Sequence, residues 1–225
     1  MESLRSSVHR RITDAGLVAV IRAPDSSVVP DLAAALAAGG ISIVEITTST
    51  PGFAGAIRRT RDHLGDQVLV GAGTLLSRED CMTALGAGAS FLICPVLRPT
   101  LVPLAHAAGC PIALGAGTAT EAQLGHEAGA DFVKLFPAES LGPGFIRSLL
   151  APLPHLQLMP TGGIGVANVA AYRAAGCVAV GVGGSLLAAD KIRARDWKGI
   201  SRAAASLVVA WQSAGNPACT GERAP

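Results

Sequence analysis

Apolar and polar positions fall in blocks along this chain. Eight short apolar runs recur: LVAVI at 17–21, ISIVEI at 41–46, QVLVGAG at 67–73 and SFLICP at 90–95, then CPIALG at 110–115, DFVKLFP at 131–137, LQLMPTGG at 156–163 and VAVGVGG at 178–184. Each is too short for a helix. Several are rich in β-branched residues and stop at Gly or Pro, the habit of buried parallel strands. Between them lie alanine-rich segments with helical spacing. Five of these close alike: ALAAGG at 35–40, ALGAGA at 84–89, AHAAGC at 105–110, GHEAGA at 125–130 and YRAAGC at 172–177. Each reads as a helix C-terminus ended by glycine, which takes the left-handed cap conformation without steric cost. A strand follows at once.

Strand starts recur about every 20–26 residues, the size of a compact strand–helix unit. Eight such units make a minimal α/β (β/α)8 TIM barrel. The expectation is one TIM-barrel domain over 1–213. Residues 214–225, rich in Gly, Pro and polar side chains, are expected to form a flexible C-terminal tail. The alternative is an open doubly wound sheet. GAGTLL at 71–76 and GAGTAT at 115–120 lack the third glycine of a dinucleotide fingerprint and give that fold little support.

Composition narrows the function. The 225 residues are 50% hydrophobic and 15% charged, so a sizeable core is available, and with 4% aromatics it must be built from Ala, Val, Leu and Ile. A net charge of +2 with scattered arginines offers no concentrated basic face, so no nucleic-acid partner is expected. The cysteines at 81, 94, 110, 177 and 219 form no CxxC pair, no zinc spacing and no disulfide framework. Most of them read as small buried hydrophobes in a reducing cytosol. The first sixteen residues are polar, and the apolar run at 17–21 is too short for a signal peptide. No run approaches bilayer length, so a cytoplasmic protein without a membrane partner is expected.

In a barrel, catalytic residues come from the C-terminal ends of several strands. Polar residues near those ends are therefore the candidates: Arg22, Glu45, Thr47, Thr48, Thr74, Lys134, and the loops PTGG (160–163) and GVGGS (181–185). Only three residues of the chain are lysine, and Lys134 stands among Phe, Val, Leu and Phe. A desolvated ammonium is costly, and a buried amine that sheds its proton is a nucleophile for ketones, forming a Schiff base. Glu45 is the one carboxylate within an apolar strand core, placed to move protons directly or through a water. The alternative for both is a structural ion pair. Glycines after the seventh and eighth runs suit a phosphate, because their amides can approach an anion and the next helix start adds its positive end. Asn168 and Ser185 are possible helix caps there. The alternative is plain tight turns. A ketone-trapping amine, a proton-transfer carboxylate and a phosphate cradle together suggest a phosphorylated keto compound.

These motifs, VEIT around Glu45, VGAGT at 70–74, VKLFPAE at 133–139, LMPTGGI at 158–164 and VGVGGS at 180–185, stand in the order and spacing of a known family. The chain resembles the class I aldolases that cleave 2-keto-3-deoxy-6-phosphogluconate (KDPG), with relatives acting on 4-hydroxy-2-oxoglutarate (KHG) and 6-phosphogalactonate, over about residues 10–210. The resemblance implies a lyase with Lys134 as Schiff-base residue and Glu45 as general acid/base. It implies Thr74 on the pyruvate carboxylate, Pro95 and Phe136 lining the pocket, and Gly162, Gly163, Gly184 and Ser185 holding phosphate. It also implies no metal or other cofactor, because the iminium is the electron sink, and a cytoplasmic homotrimer. Gluconate-type members usually carry Thr or Ser at the place of Thr161, so Thr161 implies the gluconate isomer through a hydrogen bond to the C4 hydroxyl. Two departures stand out. Ser49 occupies the place of an arginine that grips the carboxylate, and Arg22 is the candidate substitute, its alternative being an ordinary surface arginine. Leu114 replaces a common proline, with a packing effect expected. A sugar-phosphate epimerase and a non-catalytic phosphate-binding barrel remain the competing readings.

Overall fold

The computed structural model describes residues 3–215. The strands are β1 (Leu17–Ile21), β2 (Ile43–Thr47), β3 (Leu69–Gly73), β4 (Leu92–Ile93), β5 (Ile112–Ala116), β6 (Phe132–Leu135) and β7 (Val180–Val182). All pair in parallel, in the order β6-β5-β4-β3-β2-β1-β7. The eighth place is filled by the run at 156–163. It carries isolated parallel bridges, Leu158 to Val133 and Thr161 to Gly181, instead of a full ladder. Pro160 lies between the bridges and has no N–H to donate. Backbone bonds from Met159 to Val133 O, Thr161 to Leu135 O and Gly181 to Pro160 O still close the ring. The fold is a (β/α)8 barrel, and the open sheet is excluded because both edge strands are joined.

The helices are α1 (Leu4–Ala15), α2 (Val29–Ala38), α3 (Phe53–Leu64), α4 (Arg78–Gly86), α5 (Val102–Ala107), α6 (Ala119–Glu127), α7 (Ala138–Leu150), α8 (Val169–Ala174), α9 (Ala189–Arg193) and α10 (Trp197–Ser213). In all five repeated closures the glycine before the next strand has positive φ: Gly40, Gly88, Gly109, Gly129 and Gly176. That is the left-handed stop expected from the repeat. Within α7 the run breaks at Gly142 (φ 71°, ψ 170°), followed by Pro143. The tail expected from residue 214 lies, from residue 216 on, outside the described residues, as does Cys219.

Strand alternation sorts the core into two layers. Outward residues such as Val44, Ile46, Val133 and Leu135 pack beneath the helices. Inward residues form a plug: Val18, Ile43, Leu69, Ile93, Ala113, Phe132, Met159 and Ala179, one from each strand position. Helix α1, which the polar N-terminus had not suggested, turns Val8 and Ile12 onto this plug and closes the lower end of the barrel.

Candidate active site

Two residues further up most inward faces, the apolar plug gives way. Ile43 is followed by Glu45, Phe132 by Lys134, Met159 by Thr161, while Leu69, Ala113 and Ala179 are followed by Gly71, Gly115 and Gly181. Neighbours fill the space these glycines leave: the Phe91 ring at Gly71, the Pro95 backbone at Gly115 and the Thr161 side chain at Gly181. A Cβ on Gly73 would stand 1.7 Å from Glu45 Oε1, so the carboxylate lies over β3 only because that residue is glycine. A Cβ on Gly115, the register partner of Lys134, would meet the Pro95 carbonyl at 2.1 Å. Glycine there admits the β4 end and sets Pro95 beside the lysine strand.

Lys134 and Glu45 come together. They are 4% and 1% exposed, and Nζ lies 3.5 Å from Oε1. Nζ is also 5.8 Å from the Phe136 ring centroid, and Phe136 is 42% exposed at the mouth. Glu45 is the one hydrogen-bond partner of the ammonium among the described residues, at the long limit of such a bond. Cys94, buried at the end of β4, lies in the electrostatic field of both charges. Burial pushes its thiol up to about 12, so it stays neutral and leaves the amine as the nucleophile. The described cysteines are all free and buried, as their spacing implied.

Above the pair opens a cavity of about 370 Å³, lined by Arg22, Phe136, Thr161, Gly162, Gly163, Gly184 and Ser185, together with Val20, Gly183 and the start of α9. Seven of the eleven expected site residues thus share one wall. Lys134 and Glu45 lie one layer below it, and Thr74 and Pro95 stand on neighbouring strand ends. Gly162 (φ 107°) and Gly163 (φ 66°) turn the loop through left-handed conformations that need glycine.

Some expected roles change. Asn168 is at the start of α8 but caps nothing; its Nδ2 donates to Gly163 O and its Oδ1 accepts from Gly165 N, each at 2.9 Å. Ser185 Oγ donates to the Ile164 carbonyl and so ties the two glycine loops together. These braces leave the loop amides, rather than the Ser185 hydroxyl, for an anion. The expected helix ends contribute little, since α8 has six residues and α9 five. Thr161 Oγ1 is buried without a partner and faces Gly181, where a Cβ would stand 2.3 Å away. A χ1 rotation is needed to bring that hydroxyl toward a ligand. Arg22 Nε donates to Ser49 Oγ at 3.1 Å, which brings the candidate substitute onto the position that lacks its arginine. Sequence reasoning missed the braces of Asn168 and Ser185, which depend on loop-to-loop contact.

Residues 8–203 match the family described as KDPG and KHG aldolase. The chain is 35% identical over 204 residues to a 2-dehydro-3-deoxy-phosphogluconate aldolase of Haemophilus influenzae, covering 90% of this chain and 95% of that one. It is 32% identical to the 2-dehydro-3-deoxy-6-phosphogalactonate aldolase of Escherichia coli K12, covering 88% and 95%. A crystal structure of KDPG aldolase from Legionella pneumophila, with pyruvate captured as a covalent carbinolamine, superposes with a TM-score of 0.82 at 26% identity over 88% and 97% of the two chains.

Proposed function

The chain belongs to the KDPG and KHG aldolase family and is a lyase, and from that premise we propose that it cleaves 2-keto-3-deoxy-6-phosphogluconate to pyruvate and glyceraldehyde 3-phosphate. The observation that carries this is the buried Lys134–Glu45 pair beneath a glycine-walled, arginine-bearing cavity. Burial penalises both charged forms, and passing one proton from Nζ to the carboxylate yields a neutral amine beside a carboxylic acid. The amine attacks C2, and Glu45 supplies the proton with which the carbinolamine loses water. The iminium then draws the C3–C4 bonding pair as Glu45, directly or through a water, takes the C4 hydroxyl proton. Glyceraldehyde 3-phosphate leaves, the enamine is reprotonated at C3, and hydrolysis frees pyruvate and the lysine. Thr74 holds the carboxylate, Pro95 and Phe136 line the path, and the amides of the 162–163 and 183–185 loops hold the phosphate; Arg22, expected from the sequence at the carboxylate, lines the cavity with those loops and is reassigned to the phosphate. The same site accepts 4-hydroxy-2-oxoglutarate in this reading, giving pyruvate and glyoxylate. The protein works as a cytoplasmic homotrimer, testable as a solution mass three times the 22.6 kDa chain.

Borohydride added with pyruvate is expected to leave a reduced three-carbon adduct on Lys134, read by peptide mass spectrometry. An unmodified Lys134 would overturn the aldolase and favour an epimerase. Pyruvate release coupled to lactate dehydrogenase separates catalysis from mere phosphate binding. The galactonate isomer is the second reading, favoured by the orientation of Thr161 Oγ1 toward Gly181. The ratio of kcat/KM on the two epimeric phosphates decides, and Thr161→Val should lower it if the hydroxyl turns to reach C4.

A further inference from the structure

The run Thr47-Thr48-Ser49-Thr50 follows Glu45 by two residues, and each of its four hydroxyls binds outside its own position. Thr47 Oγ1 donates to Ile21 O at 3.1 Å and lies 2.8 Å from Ser49 Oγ. Ser49 Oγ accepts from Arg22 Nε at 3.1 Å. Thr50 Oγ1 accepts from Ala23 N at 3.2 Å. On the other side, Thr48 Oγ1 donates to Thr74 O at 3.0 Å, next to the bond from Thr48 N to Gly73 O at 2.9 Å.

The first three bonds have one possible direction. The Ile21 carbonyl only accepts, so the Thr47 proton is committed to it. Thr47 then accepts from Ser49, and Ser49 accepts from the guanidinium, which only donates. Each hydroxyl proton in the chain Arg22 → Ser49 → Thr47 → Ile21 is therefore committed. The chain holds Arg22 by Nε, while neither terminal guanidinium nitrogen has a hydrogen-bond partner among the described residues, and Arg22 lines the cavity. Thr74 is a β-branched residue at φ 61°, a conformation kept only where its surroundings hold it. The Thr48 bond grips its carbonyl. Thr74 Oγ1 has no partner among the described residues.

We propose that this hydroxyl run is a clasp that positions two anion anchors at once: Ser49, backed by Thr47, aims Arg22 at the phosphate end, and Thr48 aims Thr74 at the carboxylate end. Ser49, Thr47 and Thr48 are positioning residues that touch no reacting atom. The proposal rests on the aldolase reading, and its test separates the two ends. Ser49→Ala should raise KM for the phosphorylated substrate about fivefold with kcat changed less than about twofold, the loss of one charge-assisted bond. Its half-saturation for pyruvate in borohydride trapping should stay at the wild-type value. Thr48→Val should raise that pyruvate half-saturation about fivefold. Ser49→Thr and Thr48→Ser, which keep the hydroxyls, should restore each constant, and thermal midpoints should match wild type. Unchanged constants in both variants, with wild-type Lys134 still trapped by pyruvate, overturn the clasp and leave the aldolase standing. So does a parallel rise of both constants in each variant, which marks a loosened mouth. Failure of wild-type trapping would instead sink the aldolase reading.

Discussion

Asp131 stands just before β6 and Lys134 near its far end, three positions on, and they are treated in opposite ways. At the lower end Asp131 has partners on both oxygens. Its Oδ2 accepts from Ile112 N at 2.9 Å and lies 3.0 Å from His106 Nε2, and its Oδ1 is 3.5 Å from Arg5 Nε. At the upper end Lys134, with three donors, has one long contact to Glu45. A carboxylate held at both oxygens is a fastener, here tying α1 and α5 to the base of the barrel. A buried ammonium with spare donors is stable enough to fold and, once its proton has passed to Glu45, reacts as the neutral amine. The difference follows from what lies next to each: helices and backbone below, glycine and open cavity above.

Substitutions should separate the two ends. Lys134→Met is expected to abolish pyruvate formation, by at least about 10³-fold, with folding retained, because it removes the nucleophile. A fold loss comparable to the activity loss would erase the contrast. Glu45→Gln should lower kcat by roughly 10²–10⁴-fold, the range for losing a positioned acid/base. Asp131→Asn should behave in the reverse sense. Stability measured by denaturant falls by about 1–3 kcal/mol as the partners lose their charged acceptor, while kcat per folded molecule stays at wild type. The smallest effect concerns His9, which stacks on Phe132 with ring centroids 4.5 Å apart. Burial, the largest influence, holds it below its ordinary 6.5, Asp131 pulls it upward and Arg5 pushes it down. Between 6.5 and that lowered value the unfolded chain binds a proton that the folded chain refuses. Stability should therefore fall as pH drops through this window. His9→Phe, which preserves the stack, should flatten the slope, with activity unaffected.

Much of the fold was legible because its signals are local. Seven of the eight apolar runs became ladder strands, and five glycine closures took the backbone conformation that the repeats required. The exceptions have local causes too. Pro160 thins the run at 156–163 to two bridges, and α1 escaped notice because it buries only Val8 and Ile12. Among the described residues no helix is long and apolar enough to cross a membrane. At the site, the residue types in the motifs marked Lys134, Glu45 and the glycine loops. The motifs gave no sign that Ser185 and Asn168 brace backbone, or that Thr161 turns its hydroxyl to Gly181.

The sequence by itself determined the strand period, the helix stops and which residues are chemically out of place in an apolar strand. Each of these is set by neighbours a few positions away. Only the tertiary structure decided which of those residues meet. Lys134 and Glu45 are 89 positions apart, and Arg22 and Ser49 are 27 apart. Their meeting depends on strand register around a closed ring, where a shift of one residue would turn every side chain to the opposite face. Register is a property of the whole barrel, including Pro160 at its seam and α1 at its base, and no single segment carries it.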